Sequence, residues 1–180
     1  DAYLSEPIVL QNLTGIRGQG MHSTNLTLAN AVNDDVIKNY VSSNGTEANA
    51  FYCSVFDLFI DGNKANQSSG RGIDFSSNPL YTAASGDSDF DAHHTISNVS
   101  IYNCKEDGFR QQGRSDTHLI NVVTSHCDGN GFVPSFDTAL MGCTAGNSGL
   151  AGFYLGTSAL RLDNCKAFYS GQIGRASCRE

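Results

Sequence analysis

A repeat of about 22 residues runs through the second half of the chain, and no other feature constrains the fold as tightly. The segment Asn98-Val99-Ser100-Ile101-Tyr102-Asn103-Cys104 lines up with Asn121-Val122-Val123-Thr124-Ser125-His126-Cys127. The next copies begin at Gly142-Cys143-Thr144-Ala145 and Asn164-Cys165-Lys166-Ala167, so successive starts lie 23, 21 and 22 residues apart. Ten residues after each of the first three starts stand Gly108-Phe109, Gly131-Phe132 and Gly152-Phe153. A fixed period of this size marks a solenoid, because one copy cannot bury its apolar face alone and must stack on the next.

Within each copy apolar and polar residues alternate, as in Val99 and Ile101 or Cys165 and Ala167, which is the two-residue period of a strand. The segments are too short and too rich in glycine for helices, and no leucine ladder is present. Short strands broken by Asn, Gly, Asp and Ser therefore predict an all-β chain, a single-stranded parallel β-helix of roughly six coils. Coils stack about 4.8 Å apart, so like residues form ladders. One ladder is expected to hold Ile73, Phe109, Phe132 and Phe153, and another Leu58, Val99, Val122, Cys143 and Cys165.

Composition narrows the function classes. Charged residues make up 16% of the 180 residues and the formal net charge is −7, so no basic cluster is available to neutralise nucleic-acid phosphates. No apolar run reaches the length of a membrane span. The chain shows no signal peptide and opens on Asp1, which is read as a fragment or a processed piece. The solenoid is assigned to 1–171, and 172–180 is read as a non-native or disordered tail, since Gln172 stands where the repeat expects an apolar residue. Six cysteines occur without a Cys-x-x-Cys pair, and their columns are shared with valine and serine. They are read as free thiols filling the core, Cys104 beside Cys127 and Cys143 beside Cys165.

Two stretches interrupt the pattern, 30–49 and 77–92, and the second carries Tyr81, Asp87, Asp89 and Asp91. Insertions of this kind gather on one face of a solenoid and form binding surfaces. By composition the three aspartates leave calcium open, although they lack the spacing of an EF-hand loop; otherwise no cofactor or metal is expected.

Ile16-Arg17-Gly18-Gln19-Gly20, Ile60-Asp61-Gly62-Asn63-Lys64-Ala65-Asn66 and the Asn-x-x-Ile-x-Asn…Asp-Gly-Phe coils resemble the pectate-lyase-like superfamily of right-handed parallel β-helices. Within it the chain is most similar to the branch of phage tailspikes and bacterial exopolysaccharide-modifying enzymes. The resemblance implies a polysaccharide partner, a homotrimer as the assembly to expect, and an extracellular or virion-associated location. The polygalacturonase signatures are absent. The repeat frame puts Asp107 and Asp128 beside the same turn on adjacent coils, with Glu106 as a substitute, a spacing suited to the acid and the base or nucleophile of glycoside hydrolysis. Acidic residues before a turn glycine also cap that turn. Tyr81, Asp74, Arg110, His93, His94 and Tyr154 are the candidate substrate contacts, Asp74 and Arg110 sharing one column. Two functions compete: a carbohydrate-active β-helix that binds and cleaves a polysaccharide as hydrolase or lyase, and a non-catalytic structural or adhesive rod.

Overall fold

The leading asparagine of each repeat is the bend of each coil. In the computed structural model, which describes residues 1–39, 52–76, 93–112, 114–157 and 159–171, Asp57, Asn98, Asn121, Gly142 and Asn164 all adopt left-handed backbone, with φ of 57, 54, 51, 65 and 50°. Five residues later a second set does the same at Asn103, His126, Asn147 and Tyr169, with φ of 52, 58, 49 and 51°. Asn, Asp and Gly tolerate this conformation best, which explains their recurrence. At the first bend the side chains also form a ladder. Asn121 Nδ2 donates to Asn98 Oδ1 at 3.0 Å, and Asn98 Nδ2 donates to Asp57 Oδ1 at 3.0 Å.

Between the bends the chain forms strands: β1 (Ala2–Leu4), β2 (Ile8–Leu10), β3 (Gly15–Arg17), β4 (Asn25–Leu28), β5 (Ile37–Asn39), β6 (Ser54–Asp61), β7 (Ile73–Ser76) and β8 (His94–Tyr102). They continue as β9 (Phe109–Gln112), β10 (Arg114–Ser125), β11 (Phe132–Val133), β12 (Phe136–Met141), β13 (Thr144–Gly146), β14 (Arg161–Asp163) and β15 (Lys166–Phe168). Every pairing among the described residues is parallel. One sheet runs β1-β4-β6-β8-β10-β12-β14, with β3, β13 and β15 attached, and the other runs β11-β9-β7-β5-β2. The long strands carry the asparagine bend within them, so β10 pairs with β12 before Asn121 and with β13 after it. The result is a right-handed parallel β-helix, the hand that parallel crossovers take. The main sheet path has seven rungs among the described residues rather than six. The only described helical turn is a 3₁₀ turn at Lys64–Asn66.

The expected ladders form the core. Ile73 pairs with Phe109, Phe109 with Phe132, and Phe132 with Phe153. Leu58, Val99 and Val122 stack in the same way and are fully buried. Phe132 and Phe153 lie 4.9 Å apart with an interplanar angle of 8°. Phe153 is only partly buried, because it lies at the end of the described ladder. Gly72, Gly108, Gly131 and Gly152 do not use left-handed backbone, and their role is close approach. A Cβ on Gly131 would lie 2.5 Å from the Gly152 carbonyl oxygen and 2.8 Å from the Ala145 Cβ. The five described cysteines are free thiols, and all but Cys165 are buried. Burial pushes the Cys53 thiol up to about 11 and the Cys143 thiol up to about 12.

Candidate functional site

The carboxylates expected to cleave a glycan are each occupied by the protein itself. Asp107 is 8% exposed, and its Oδ1 accepts from the backbone N–H and the side-chain amide of Asn130, at 2.8 and 2.9 Å. It caps the turn of the next coil, so it belongs to the structure of the stack. Asp128 lies between two lysines, with Lys64 Nζ at 2.9 Å and Lys105 Nζ at 3.0 Å. The hydrogen bond from Lys64 is the main reason its carboxyl is held below the usual range. The two aspartates therefore serve different charge clusters, although they stand beside the same turn.

The Asp107 cluster centres on Arg71, a residue that the repeat pattern does not single out. Its guanidinium lies 3.1 Å from Asp74, 3.3 Å from Glu106, 3.6 Å from Asp35 and 3.8 Å from Asp107. Nε, the atom facing Asp107, is too far for a hydrogen bond and is left without one. Arg110 reaches Asp107 at 4.0 Å. Asp74 and Arg110 are register partners, as expected, yet Asp74 turns to Arg71 and to the Ser76 hydroxyl. Burial, then repulsion from Asp74, raises the Asp35 carboxyl to about 6. Four carboxylates from three coils share one partly buried guanidinium.

His93 and His94, adjacent in sequence, part company. His94 begins β8 facing inward, 3% exposed, with its ring 4.6 Å from Phe75 and its Nδ1 accepting from the Cys53 N–H at 3.2 Å. Burial lowers it to about 4. This corrects the expectation of a substrate contact: strand alternation sends His94 into the core. His93 faces out. Its Nδ1 lies 3.0 Å from Asp116 Oδ2, and its ring centroid is 5.3 Å from that of Tyr52. The other oxygen of Asp116 lies 3.2 Å from His118 Nε2.

This cluster borders a strip on the outer face of the main sheet in which short side chains alternate with long ones. One outward column reads Gly15, Ser54, Thr95, His118, Ala139, Arg161, and the next reads Arg17, Phe56, Ser97, Ile120, Met141, Asp163. Five rung spacings of about 4.8 Å give a strip roughly 24 Å long. Arg17 and Arg161 stand at its two ends, Arg17 also lying 4.7 Å over the Phe56 ring. Tyr52 and His93 stand just before β6 and β8, at this rim of the main sheet. Tyr81 and the Asp87, Asp89 and Asp91 group lie outside the described residues. Among those described, no group of three or more His, Cys, Asp or Glu is arranged to hold a metal ion. No described helix is long and apolar enough to cross a membrane. Tyr154 is 56% exposed and follows Phe153, the end of the phenylalanine ladder, so the candidate contacts are spread over both sheets.

Asp116 and His118 were also missed. Their signal was present as Asp-x-His on a strand, one residue either side of the inward Thr117, but only the register to His93 reveals it.

No family model matches the chain, and no curated protein sequence matches it. Solved structures do. The chain is similar over 90% of its length to the A-module of the Azotobacter vinelandii mannuronan C-5 epimerase AlgE6, with a TM-score of 0.64 and 20% identity. It covers 42% of that chain, about two fifths of the length. A second, the A-module of the Azotobacter vinelandii mannuronan C-5 epimerase AlgE4, matches over 90% of this chain and 56% of its own, with a TM-score of 0.48 and 15% identity. The first likeness establishes the fold.

Proposed function

We propose that the chain is a carbohydrate-active β-helix that takes a polysaccharide along the outer strip of its main sheet, with His93 as the group that moves a proton. The observation that carries this reading is the 3.0 Å contact between His93 Nδ1 and Asp116 on that exposed strip. An imidazole whose one nitrogen is held by a carboxylate presents the other as a proton acceptor or donor. Tyr52, ring to ring with His93, adds a phenol that can donate or accept at the same place. Hydrolysis would need two carboxyl groups free to face one glycosidic bond, and Asp107 and Asp128 are each engaged elsewhere.

Proton abstraction next to a sugar carboxylate is the reaction class that a single exposed imidazole serves best. It begins both epimerisation and eliminative cleavage. The similar solved structure is named for mannuronan and for C-5, which supports a mannuronan-like polymer as the first substrate to try. Arg17 and Arg161 offer cations to such an anionic chain. Its site of action is then outside the cell, where the polymer is met.

The test is incubation with mannuronan and with polygalacturonate in deuterium oxide, followed by NMR at the carbon bearing the carboxylate. Deuterium should enter at that carbon if the chain is an epimerase, because a solvent proton replaces the one removed; a lyase should instead give new unsaturated ends whose carboxylate-bearing carbon holds no hydrogen. His93→Gln should reduce the exchange about 100-fold or more, while Asp128→Asn should leave it in place. Exchange unchanged in His93→Gln would sink the assignment. Binding with neither exchange nor unsaturated ends would favour the adhesive rod, which the asparagine ladder and the self-occupied carboxylates also suit.

A further inference from the structure

We infer that His118 is a positioning residue for this site: it holds the far oxygen of Asp116, so that the near oxygen stays on His93. The inference rests on the reading of His93 as the proton-moving group. Asp116 is an exposed aspartate on a strand, its side chain 40% accessible. The terminal torsion of such a side chain is broad and roughly two-fold. With His93 as its single partner the carboxylate would swing between that imidazole and water, and the imidazole would lose its orientation.

His118 closes that freedom. It stands two residues after Asp116 on β10, and side chains two apart on a strand share a face. Its Nε2 lies 3.2 Å from Asp116 Oδ1 while Oδ2 lies 3.0 Å from His93 Nδ1. Each carboxylate oxygen thus has its own imidazole, one from the same strand and one from the adjoining coil. The register partners of His118 are Thr95 and Ala139, both short, so neither crowds the ring away from Asp116. Fixing the carboxylate fixes the His93 tautomer, with the proton on Nδ1 and the lone pair on Nε2, because the nitrogen facing a carboxylate is the one that carries hydrogen.

Three variants of the full chain test this: His118→Gln, His118→Leu and His118→Ala. A glutamine amide can reach Asp116 in place of Nε2 but cannot carry a proton, whereas leucine and alanine can do neither. The first readout needs no substrate. In ¹⁵N-labelled protein the His93 Nδ1–H resonance should be retained in the wild type and in His118→Gln. Its exchange with solvent should speed up about tenfold or more in His118→Leu and His118→Ala. The second readout is turnover on the polymer that shows deuterium exchange. There kcat should fall about tenfold in the leucine and alanine variants with KM unchanged, and recover in His118→Gln. An unchanged His93 resonance in His118→Leu and His118→Ala overturns the inference. Equal loss of turnover in all three variants overturns it too, since His118 would then move a proton itself. If no polymer is ever turned over, the functional reading fails while the resonance still decides whether His118 orients His93.

Discussion

Asp35 shows how stacking turns an ordinary surface residue type into a cost. It lies 8% exposed beside Asp74, with a hydrogen bond from the Arg71 N–H at 2.8 Å to set against burial and like charge. Burial wins, and the carboxyl rises from 3.8 to about 6. A carboxyl raised on folding binds its proton more tightly in the native state, so its favourable share of stability is full below pH 4 and is lost as pH rises through about 6. Asp35→Asn keeps an acceptor for Arg71 and removes the titration. The variant should gain on the wild type between pH 4 and pH 7.5 by an amount on the order of 2 kcal/mol. Urea unfolding at the two pH values checks this, and an equal difference at both would refute the burial argument. His94, by contrast, titrates below the range where most proteins work, because it is held neutral in the core at about 4.

At the scale of the element, the bend rather than the strand is the specific part of each coil. Strands of Val, Ile and Thr would pair in several registers, but a left-handed residue at a constant place locks one. Asn121 both adopts φ of 51° and donates to Asn98. Replacing it separates the two contributions. Asn121→Ala loses the ladder bond and strains the backbone, for a total of about 2–3 kcal/mol. Asn121→Gly keeps the left-handed bend, and it should cost about 1 kcal/mol for the bond alone. Thermal melts of the two variants would show alanine clearly worse than glycine. Equal melting points would mean that the left-handed backbone is not the constraint. The glycines before each phenylalanine act differently. They are small because neighbouring coils and the corner residues crowd them, as the Thr124 methyl 2.7 Å from a Cβ built on Gly108 makes plain.

Across the whole molecule the stack is held by contacts between neighbouring coils, so stability should be graded along it. The middle rungs, β6, β8 and β10, bury Val55, Leu58, Ile60, Ile96, Val99, Ile101, Leu119 and Val122 almost completely. All residues of β14 and β15 are exposed. Hydrogen exchange should therefore be slowest at β8 and β10 and fastest at β14 and β15. Differences of about 10²-fold or more would correspond to several kcal/mol of local opening. Uniform protection would indicate a single cooperative unit. Lys64 and Lys105, both joined to Asp128, link coils on the outside. Such exposed pairs contribute about 0–1 kcal/mol each, too little to override the grading by the core.

The period, the asparagine bends and the glycine-phenylalanine pairs were legible in the amino-acid sequence because they repeat. Each coil solves the same packing problem with the same residue types, so the Phe109, Phe132 and Phe153 ladder could be written down before any coordinates. The charges could not be placed in that way. Arg71 meets Asp35, Asp74, Glu106 and Asp107, and Tyr52 meets His93 beside Asp116, across coils separated by interruptions of unequal length. Repeat arithmetic loses its frame there, and one residue of register reverses which side of a strand faces water. That single reversal put His93 on the surface and His94 in the core. Backbone periodicity is a sum over many equivalent contacts and survives such gaps, whereas a site depends on a few side chains whose meeting only the folded stack decides.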